Sequence, residues 1–166
     1  SEFHKITGFL AKFFDEMALE KVFIGKNVGL KSGISIGKKR NQNFVQIPYN
    51  KFISQLKYKC QLLGIEVVEQ EESYTSKASF IDYDPIPIWK NNGKKYKFSG
   101  VREKRGLYKT KYGKVINADV NGSYNILVKG LNNLGINLKR DIVSFHTRSL
   151  TSYNILSNKK LIEKYT

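Results

Sequence analysis

The chain has 166 residues, of which 40% are hydrophobic, enough for the core of one domain, or of one domain with a small insertion. No stretch approaches the roughly 18 apolar residues of a membrane span. The single cysteine, Cys60, excludes an internal disulfide and a cysteine-built zinc site, and it fits a reduced, cytoplasmic setting. The formal net charge of +15 favours a polyanionic partner, because each neutralised phosphate releases condensed counterions.

Charged residues are distributed unevenly along the chain. Basic residues concentrate between Lys26 and Arg40 and between Lys90 and Lys114, whereas many of the acidic residues lie between Glu66 and Asp84. Acidic residues gathered in a cationic protein would repel a phosphate backbone unless a divalent cation lies among them. The pattern therefore fits a metal-dependent nuclease. A solvated acidic turn and a merely solubilising basic surface are the alternatives.

The first part of the chain predicts alternating helices and strands. Hydrophobic residues at spacings of three and four predict an amphipathic helix over residues 3–19. Residues 21–25 predict a short strand that is buried on both faces. A second helix, with Pro48 in its first turn, is predicted to end at Gly64, and residues 64–70 predict a second strand. This order indicates an α/β fold with a parallel sheet.

The remaining segments are predicted from their composition. Glycine and lysine residues predict a loop up to about Gln42. Residues 73–115 contain the only tryptophan and short alternations of aromatic and basic residues, which predict an inserted, hairpin-like subdomain. A last helix is predicted from about Asp119 to Val128, ending before Gly130. The polar, asparagine-rich tail, residues 131–166, is expected to be loosely ordered.

Three ordered groups of residues carry a resemblance to a known family. They are Phe23–Asn27 with Asn41–Pro48, then Tyr58-Lys59 and Gly64-Ile65 with Glu71–Phe80, and finally Ile116–Gly122 with Asn125–Leu127. In this order and spacing, over residues 4–130, they resemble the C-terminal portion of the TnpB family. These are transposon-encoded, RNA-guided nucleases of bacterial insertion sequences, related to type V CRISPR effectors.

The resemblance implies an α/β, ribonuclease-H-like (RuvC-like) fold whose active site joins three carboxylates from distant parts of the chain. The implied function is DNA cleavage by a transposon-associated endonuclease, often described as a transposase. Such an enzyme hydrolyses phosphodiesters with two Mg²⁺ or Mn²⁺ ions. The expected partners are DNA and, in the full-length protein, guide RNA, in the cytoplasm of a prokaryotic cell. No membrane partner is expected, and the oligomeric state stays open.

The family's third acid corresponds to Asp119. The residues themselves are consistent with this assignment, because an aspartate that opens a helix between Asn117 and Asn121 can present its carboxylate beside a strand end. An ordinary helix N-cap is the alternative for Asp119.

The family's second acid is displaced in this sequence. Most relatives place a glutamate at the end of the strand that here ends in Gly25, and glycine offers no ligand. A subset with the IGKN pattern supplies the acid from the end of the next strand, which here carries Glu71 and Glu72. The ends of neighbouring parallel strands converge on one rim, and consecutive strand residues face opposite sides. Glu72 is therefore predicted to serve as the ligand, with Glu71 in reserve. Solvation of both is the alternative.

The family's zinc ribbon of four cysteines has no counterpart here. No cysteine follows Cys60, and Ser79 stands where a cysteine would be expected, so no zinc is predicted. Four aromatic side chains are expected to hold the hairpins instead: Trp89, Tyr96, Phe98 and Tyr108. The predicted contacts to nucleic acid are Lys38, Lys39, Arg40, Lys59, Lys77, Arg102 and Arg105. A solvated basic hairpin is the alternative for the two hairpin arginines.

The predicted organisation is a partial RuvC-like core over residues 1–72, the hairpin subdomain over 73–115, a final core helix over 116–130, and a tail over 131–166. The family's first acid lies on a strand ahead of the helix that here begins near Phe3. The chain is therefore expected to be a fragment, or the product of a truncated gene, and to cleave DNA poorly or not at all. A nuclease-inactive DNA- or RNA-binding module and a structural domain with a basic surface are the alternative functions.

Overall fold

A computed structural model describes the backbone of residues 2–26, 36–90 and 93–138 and the side chains of residues 3–26, 48–90 and 93–138. These parts form a mixed α/β fold with two small sheets. In chain order the elements are α1 (Glu2–Glu16), β1 (Lys21–Lys26), α2 (Ile36–Leu62), β2 (Glu66–Glu71), β3 (Val101–Lys104), β4 (Leu107–Lys109), β5 (Val115–Asn117) and α3 (Ala118–Asn133). No helix within these ranges is both long enough and apolar enough to cross a membrane.

The chain divides into two compact units, Ser1–Ile24 with Gly29–Glu69 and Gly25–Val28 with Gln70–Thr166. In the first unit, α1 packs against α2 around four buried residues: Ala11, Leu56, Cys60 and Ile65. The predicted first helix is confirmed, although it ends at Glu16, because Ala18 adopts a positive φ of 53° that a helix cannot accommodate.

Helix α2 begins earlier than the sequence predicts. It starts at Ile36, so the prediction of a loop was wrong for residues 36–42, whereas residues 27–35 lie outside the described residues. Pro48 lies inside the helix rather than in its first turn. Local propensity argued against this helix, since an internal glycine costs about 1 kcal/mol and a proline about 3 kcal/mol. Burial of Leu56 and Cys60 in the first unit's core, with Phe52 packed against it, stabilises the helix enough to outweigh these costs.

Strands β1 and β2 form a two-stranded sheet. The amide of Glu66 donates to the carbonyl oxygen of Glu20 at 2.9 Å, and the amide of Glu72 donates to that of Lys26 at 3.2 Å. Both pairs have the same sequence separation, so the strands are parallel, as predicted. The ends of β1 and β2 consequently lie side by side at one edge.

The second unit contains an antiparallel sheet in the order β3-β4-β5. Its strands lie in or next to residues 73–115, where the sequence predicts a hairpin. Tyr108 and Ile116 point from this sheet into a small core with Ala118. The Tyr108 hydroxyl donates to the carbonyl oxygen of Lys77 at 2.7 Å, and this bond attaches the sheet to the segment that follows β2.

Helix α3 extends further than predicted. Gly130 is buried inside the helix, so the prediction that the helix ends before it was wrong. The helix stops instead at Gly135, which has a φ of 74° and donates its amide to the carbonyl oxygen of Asn132. Most of the predicted tail, residues 139–166, lies outside the described residues.

Candidate metal and nucleic-acid site

Two buried asparagines of α3 bind the backbone of the segment that follows β2. Asn121 donates to the carbonyl oxygen of Ala78 at 2.8 Å and accepts from the amide of Phe80 at 3.0 Å. Asn125, one turn later, donates to the carbonyl oxygens of Thr75 and Ala78 at 2.9 and 2.8 Å. Because residues four apart share a helix face, both side chains reach the same stretch of backbone. Side chains of α3 therefore hold this turn-rich segment in place.

Lys129 continues this row by another turn and is only 5% exposed. Its ammonium forms an ion pair with Glu71 and donates to the carbonyl oxygens of Ser73 and Pro87 at 2.9 and 3.1 Å. Glu71 also accepts from the amide of Ser73 at 2.6 Å. Burial acts to raise the pKa of Glu71, but these hydrogen bonds and the charge of Lys129 outweigh it and lower the pKa. The Glu71 carboxylate is therefore ionised and already bound to Lys129 and to the Ser73 amide.

Glu72 has a different environment. Its carboxylate lies against the backbone of Gly25, where a Cβ atom on residue 25 would overlap Glu72 Oε2 and approach Ile126 Cδ1 to 2.7 Å. Within the described parts of the chain, this carboxylate forms no hydrogen bond or ion pair. Burial and then the charge of Glu71 raise its pKa, while Lys129 opposes the shift. Glu72 therefore occupies the space at the end of β1 that a side chain at residue 25 would need.

Asp119 lies in the first turn of α3 and is exposed. The helix cap is Asn117, whose Oδ1 accepts from the amides of Asp119 and Val120 at 2.8 and 3.0 Å. The alternative of Asp119 as the N-cap is therefore wrong. Asp119 and Ile126, which borders the space filled by Glu72, are seven residues apart, so they share one face of α3 at about 10 Å along its axis. No three His, Cys, Asp or Glu side chains of the described residues form a metal-binding group.

Two aspartates join the parts of the hairpin subdomain. Asp84 is buried and accepts from the amides of Ser79 and Ser99 at 2.8 and 2.9 Å and from the Ser99 hydroxyl at 2.5 Å. Asp82 accepts from the Ser79 hydroxyl at 2.7 Å and from the amide of Lys111 at 2.8 Å. These bonds connect the chain around residue 80 to the segment before β3 and to the turn between β4 and β5.

The donor set of this cluster does not suit zinc. Structural zinc sites use thiolate and imidazole ligands, whereas Asp82, Asp84, Ser79 and Ser99 offer only oxygen atoms. Those oxygen atoms already bond to backbone amides and to each other. The hydrogen bonds of Asp82 and Asp84 connect these segments.

The predicted aromatic contacts are present only in part. Tyr108 is fully buried, and Tyr96 and Phe98 contact Tyr74, with ring centroids 5.1 and 6.0 Å apart. Trp89, by contrast, is 45% exposed, so it contributes little to a core.

The part of the chain that carries Glu71, Glu72, Asp119 and the hairpin subdomain resembles a known protein family. Residues 49–126 match the family model of the Cas12f1-like TNB domain. The match relates this stretch to the TnpB and Cas12f group of proteins. It includes Glu71, Glu72 and Asp119 as well as both aspartates of the hairpin subdomain. No curated protein and no solved structure matched the chain.

The predicted nucleic-acid contacts differ in their surroundings. Within the TNB match, Lys77, Arg102 and Arg105 are exposed. Lys59 donates to the carbonyl oxygen of His4, so its ammonium is bound within the first unit although its charge is not neutralised there. The side chains of Lys38, Lys39 and Arg40 lie outside the described residues.

The sequence did not reveal the residues that position the segment following β2. Asn121 and Asn125 belong to the third group of family-like residues but had no assigned role, and Lys129 was not singled out; the three share only a spacing of four on a mixed helix. That spacing predicts a common face, but it does not tell which backbone the face contacts.

Proposed function

We propose that this chain supplies two acidic ligands to a RuvC-like, divalent-metal-dependent DNA endonuclease of the TnpB type. The observation that carries the proposal is the position of Glu72, whose carboxylate fills the space beside Gly25 and has no described partner. Most relatives in the TnpB family place their own glutamate at this strand end. The match of residues 49–126 to the TNB family supports the same conclusion.

Glu72 and Asp119 are the proposed metal ligands. Carboxylate oxygens are hard donors, which suit Mg²⁺ and Mn²⁺, and neither carboxylate is engaged by another described side chain. Two such ions, when bound in a complete site, activate the attacking water and stabilise the leaving oxygen of the phosphodiester. Glu71 is assigned to Lys129 instead, because its two oxygen atoms are already bound.

The proposed fold around these ligands is ribonuclease-H-like. Strands β1 and β2 would be two of its parallel strands, and α3 would be the helix that carries the third acid. Lys129 fixes the position of Glu71 and thereby the end of β2, so the backbone presents Glu72 toward Gly25. Asp119 remains open to solvent at the start of α3, where a phosphate could approach.

A calorimetric titration with Mn²⁺ tests this proposal. The chain is compared with Glu72→Gln and Asp119→Asn, which keep side-chain shape and remove charge, and with Asp15→Asn, an exposed acid on α1. We expect weak binding that both site variants reduce by roughly 10-fold or more, which corresponds to the ~1.4 kcal/mol of one lost charged ligand. Absence of binding by the parent chain, or an equal loss in Asp15→Asn, would contradict the proposal.

A second candidate function is a nuclease-inactive module that binds DNA or RNA. It is favoured by the absence of a group of three acids from the described residues, together with the exposed Lys77, Arg102 and Arg105. Under this function, oligonucleotide binding would need no metal, would weaken steeply with salt, and would be unaffected by Asp119→Ala. In either case we expect little or no cleavage by this chain with Mg²⁺, and robust cleavage abolished by Asp119→Ala would contradict that expectation.

A further inference from the structure

Tyr112 is the most exposed large aromatic or aliphatic side chain among the described residues. It lies on the turn between β4 and β5, and 85% of its surface is open to solvent. A tyrosine this exposed adds nothing to the core, because its ring is outside the cluster of Tyr108, Ile116 and Ala118. Its placement is therefore not explained by folding.

The turn that carries Tyr112 is held by several hydrogen bonds. Thr110 donates its amide to the carbonyl oxygen of Lys114 at 2.8 Å, and its hydroxyl accepts from the Lys114 amide at 3.1 Å. The amide of Gly113 donates to the Thr110 carbonyl oxygen at 3.0 Å, and the amide of Lys111 donates to Asp82 at 2.8 Å. The exposed ring is thus mounted on an ordered support, which lowers the entropy lost when it binds a ligand.

The surroundings of the ring are cationic. The Lys111 ammonium lies 5.5 Å from the ring centroid of Tyr112, so it contacts one face of the ring. Lys111 and Lys114 form no ion pair within the described residues, whereas the nearby Lys109 is paired with Glu103 at 3.1 Å. An anionic ligand with a flat, polarisable group would match both the ring and the two available ammonium groups.

From these features we infer that the Tyr112 turn binds an unpaired nucleotide of single-stranded nucleic acid. The base stacks on the Tyr112 ring, and Lys111 and Lys114 bind the adjacent phosphates. A duplex fits less well, because its bases are stacked on each other and expose no face to the ring. This inference rests on the proposed function for its nucleic-acid partner. It adds that the nucleic acid is single-stranded and that Tyr112 contacts it.

The test is fluorescence anisotropy with a labelled oligothymidine of about 12 nucleotides, a length within the range that one small domain covers. Chelator is present, so the outcome does not depend on Glu72 or Asp119. The variants are Tyr112→Ala, Tyr112→Phe and the control Tyr58→Ala, which removes a tyrosine that is 63% exposed in the first unit. We expect Tyr112→Ala to weaken binding by roughly 10-fold, the usual effect of one lost base stack, while the other two variants stay within about 2-fold.

Equal binding by Tyr112→Ala and the parent chain, an equal loss in Tyr58→Ala, or tighter binding of the matching duplex would each overturn the inference. Circular dichroism of each variant establishes that the fold is retained. If Mn²⁺ binding still depends on Glu72 and Asp119 while Tyr112→Ala has no effect, only this inference fails. If Mn²⁺ binding is independent of the two acids while Tyr112→Ala weakens oligothymidine binding, only the proposed metal site fails.

Discussion

The carboxylate of Glu72 fills the space that a side chain on Gly25 would need. The two residues come from the ends of neighbouring parallel strands, and Ile126 of α3 borders the same space. Only one of the two positions can therefore carry a large side chain without displacement of its neighbours. An acid on either strand would bring its charge to the same place.

This relationship predicts the behaviour of a pair of substitutions. Gly25→Glu alone should lower the free energy of unfolding by about 1–3 kcal/mol, because it overfills the site and places two like charges together. Glu72→Gly in the same chain should recover most of that loss, and the double variant should bind Mn²⁺ as the parent does. Urea unfolding and calorimetry of both single variants and the double variant measure this coupling. Strictly additive effects would show that the positions are independent.

Lys129 should contribute far more to stability than Lys21, a partly exposed lysine that also forms an ion pair with a glutamate. Lys129→Met leaves the Glu71 carboxylate and two carbonyl oxygens without their cation, so we expect a loss of about 3 kcal/mol. Lys21→Met, which removes the ion pair with Glu66 at 2.6 Å on a more exposed surface, should cost less than about 1 kcal/mol. Chemical denaturation of both variants measures the difference, and similar losses would contradict the assignment.

The hairpin subdomain is expected to hold its shape without a metal. Asp84→Ala removes the acceptor of three hydrogen bonds and should reduce stability by about 2–3 kcal/mol, since the buried amide of Ser79 and the partly buried amide of Ser99 are left unpaired. Chelator or added Zn²⁺ should leave the thermal midpoint of the parent chain unchanged. The matched control is Asp15→Ala in the first unit. A midpoint that falls in chelator would indicate that a metal contributes to the fold.

Ionisation of the buried Tyr108 hydroxyl should destabilise the folded chain in strong alkali. Burial, and then the charge of Asp84, raise the pKa of its hydroxyl to about 12. Because the folded state holds this proton more tightly than the unfolded state, the stabilisation is fully present below pH 10 and is lost as the pH rises towards 12. Denaturation across this range should show a steeper loss for the parent chain than for Tyr108→Phe. Identical slopes would mean that another group causes the alkaline unfolding.

Sequence patterns predicted the elements whose signal is periodic. The spacing of apolar residues in α1 and the short apolar run of β1 indicated the right elements, since some of these residues pack against the first unit's core. The prediction that β1 is buried on both faces was wrong, because its residues are only partly buried. The start of α2 was not predictable in this way, because Gly37 and Pro48 disfavour a helix locally while packing further along the chain supports it. Local propensity and tertiary packing conflict there, and packing prevails.

The candidate site was predictable only in outline. Gly25 at a strand end and the Glu71-Glu72 pair at the next one indicated where to look. Which glutamate is available depends on Lys129, which lies 58 residues from Glu71 in sequence. A single sequence does not specify such a long-range ion pair, because the chain has many other lysines that could pair with Glu71.

The row of Asn121, Asn125 and Lys129 has a consequence for the order of folding. The chain from Glu72 to about residue 90 forms neither helix nor strand, and side chains of α3 bind four of its carbonyl oxygens, those of residues 73, 75, 78 and 87. This segment therefore lacks these hydrogen-bond donors until α3 has been synthesised and has formed a helix. During translation the protein would hold Glu72 on an unorganised loop, and the two acids would take up their relative positions only in the final step of assembly.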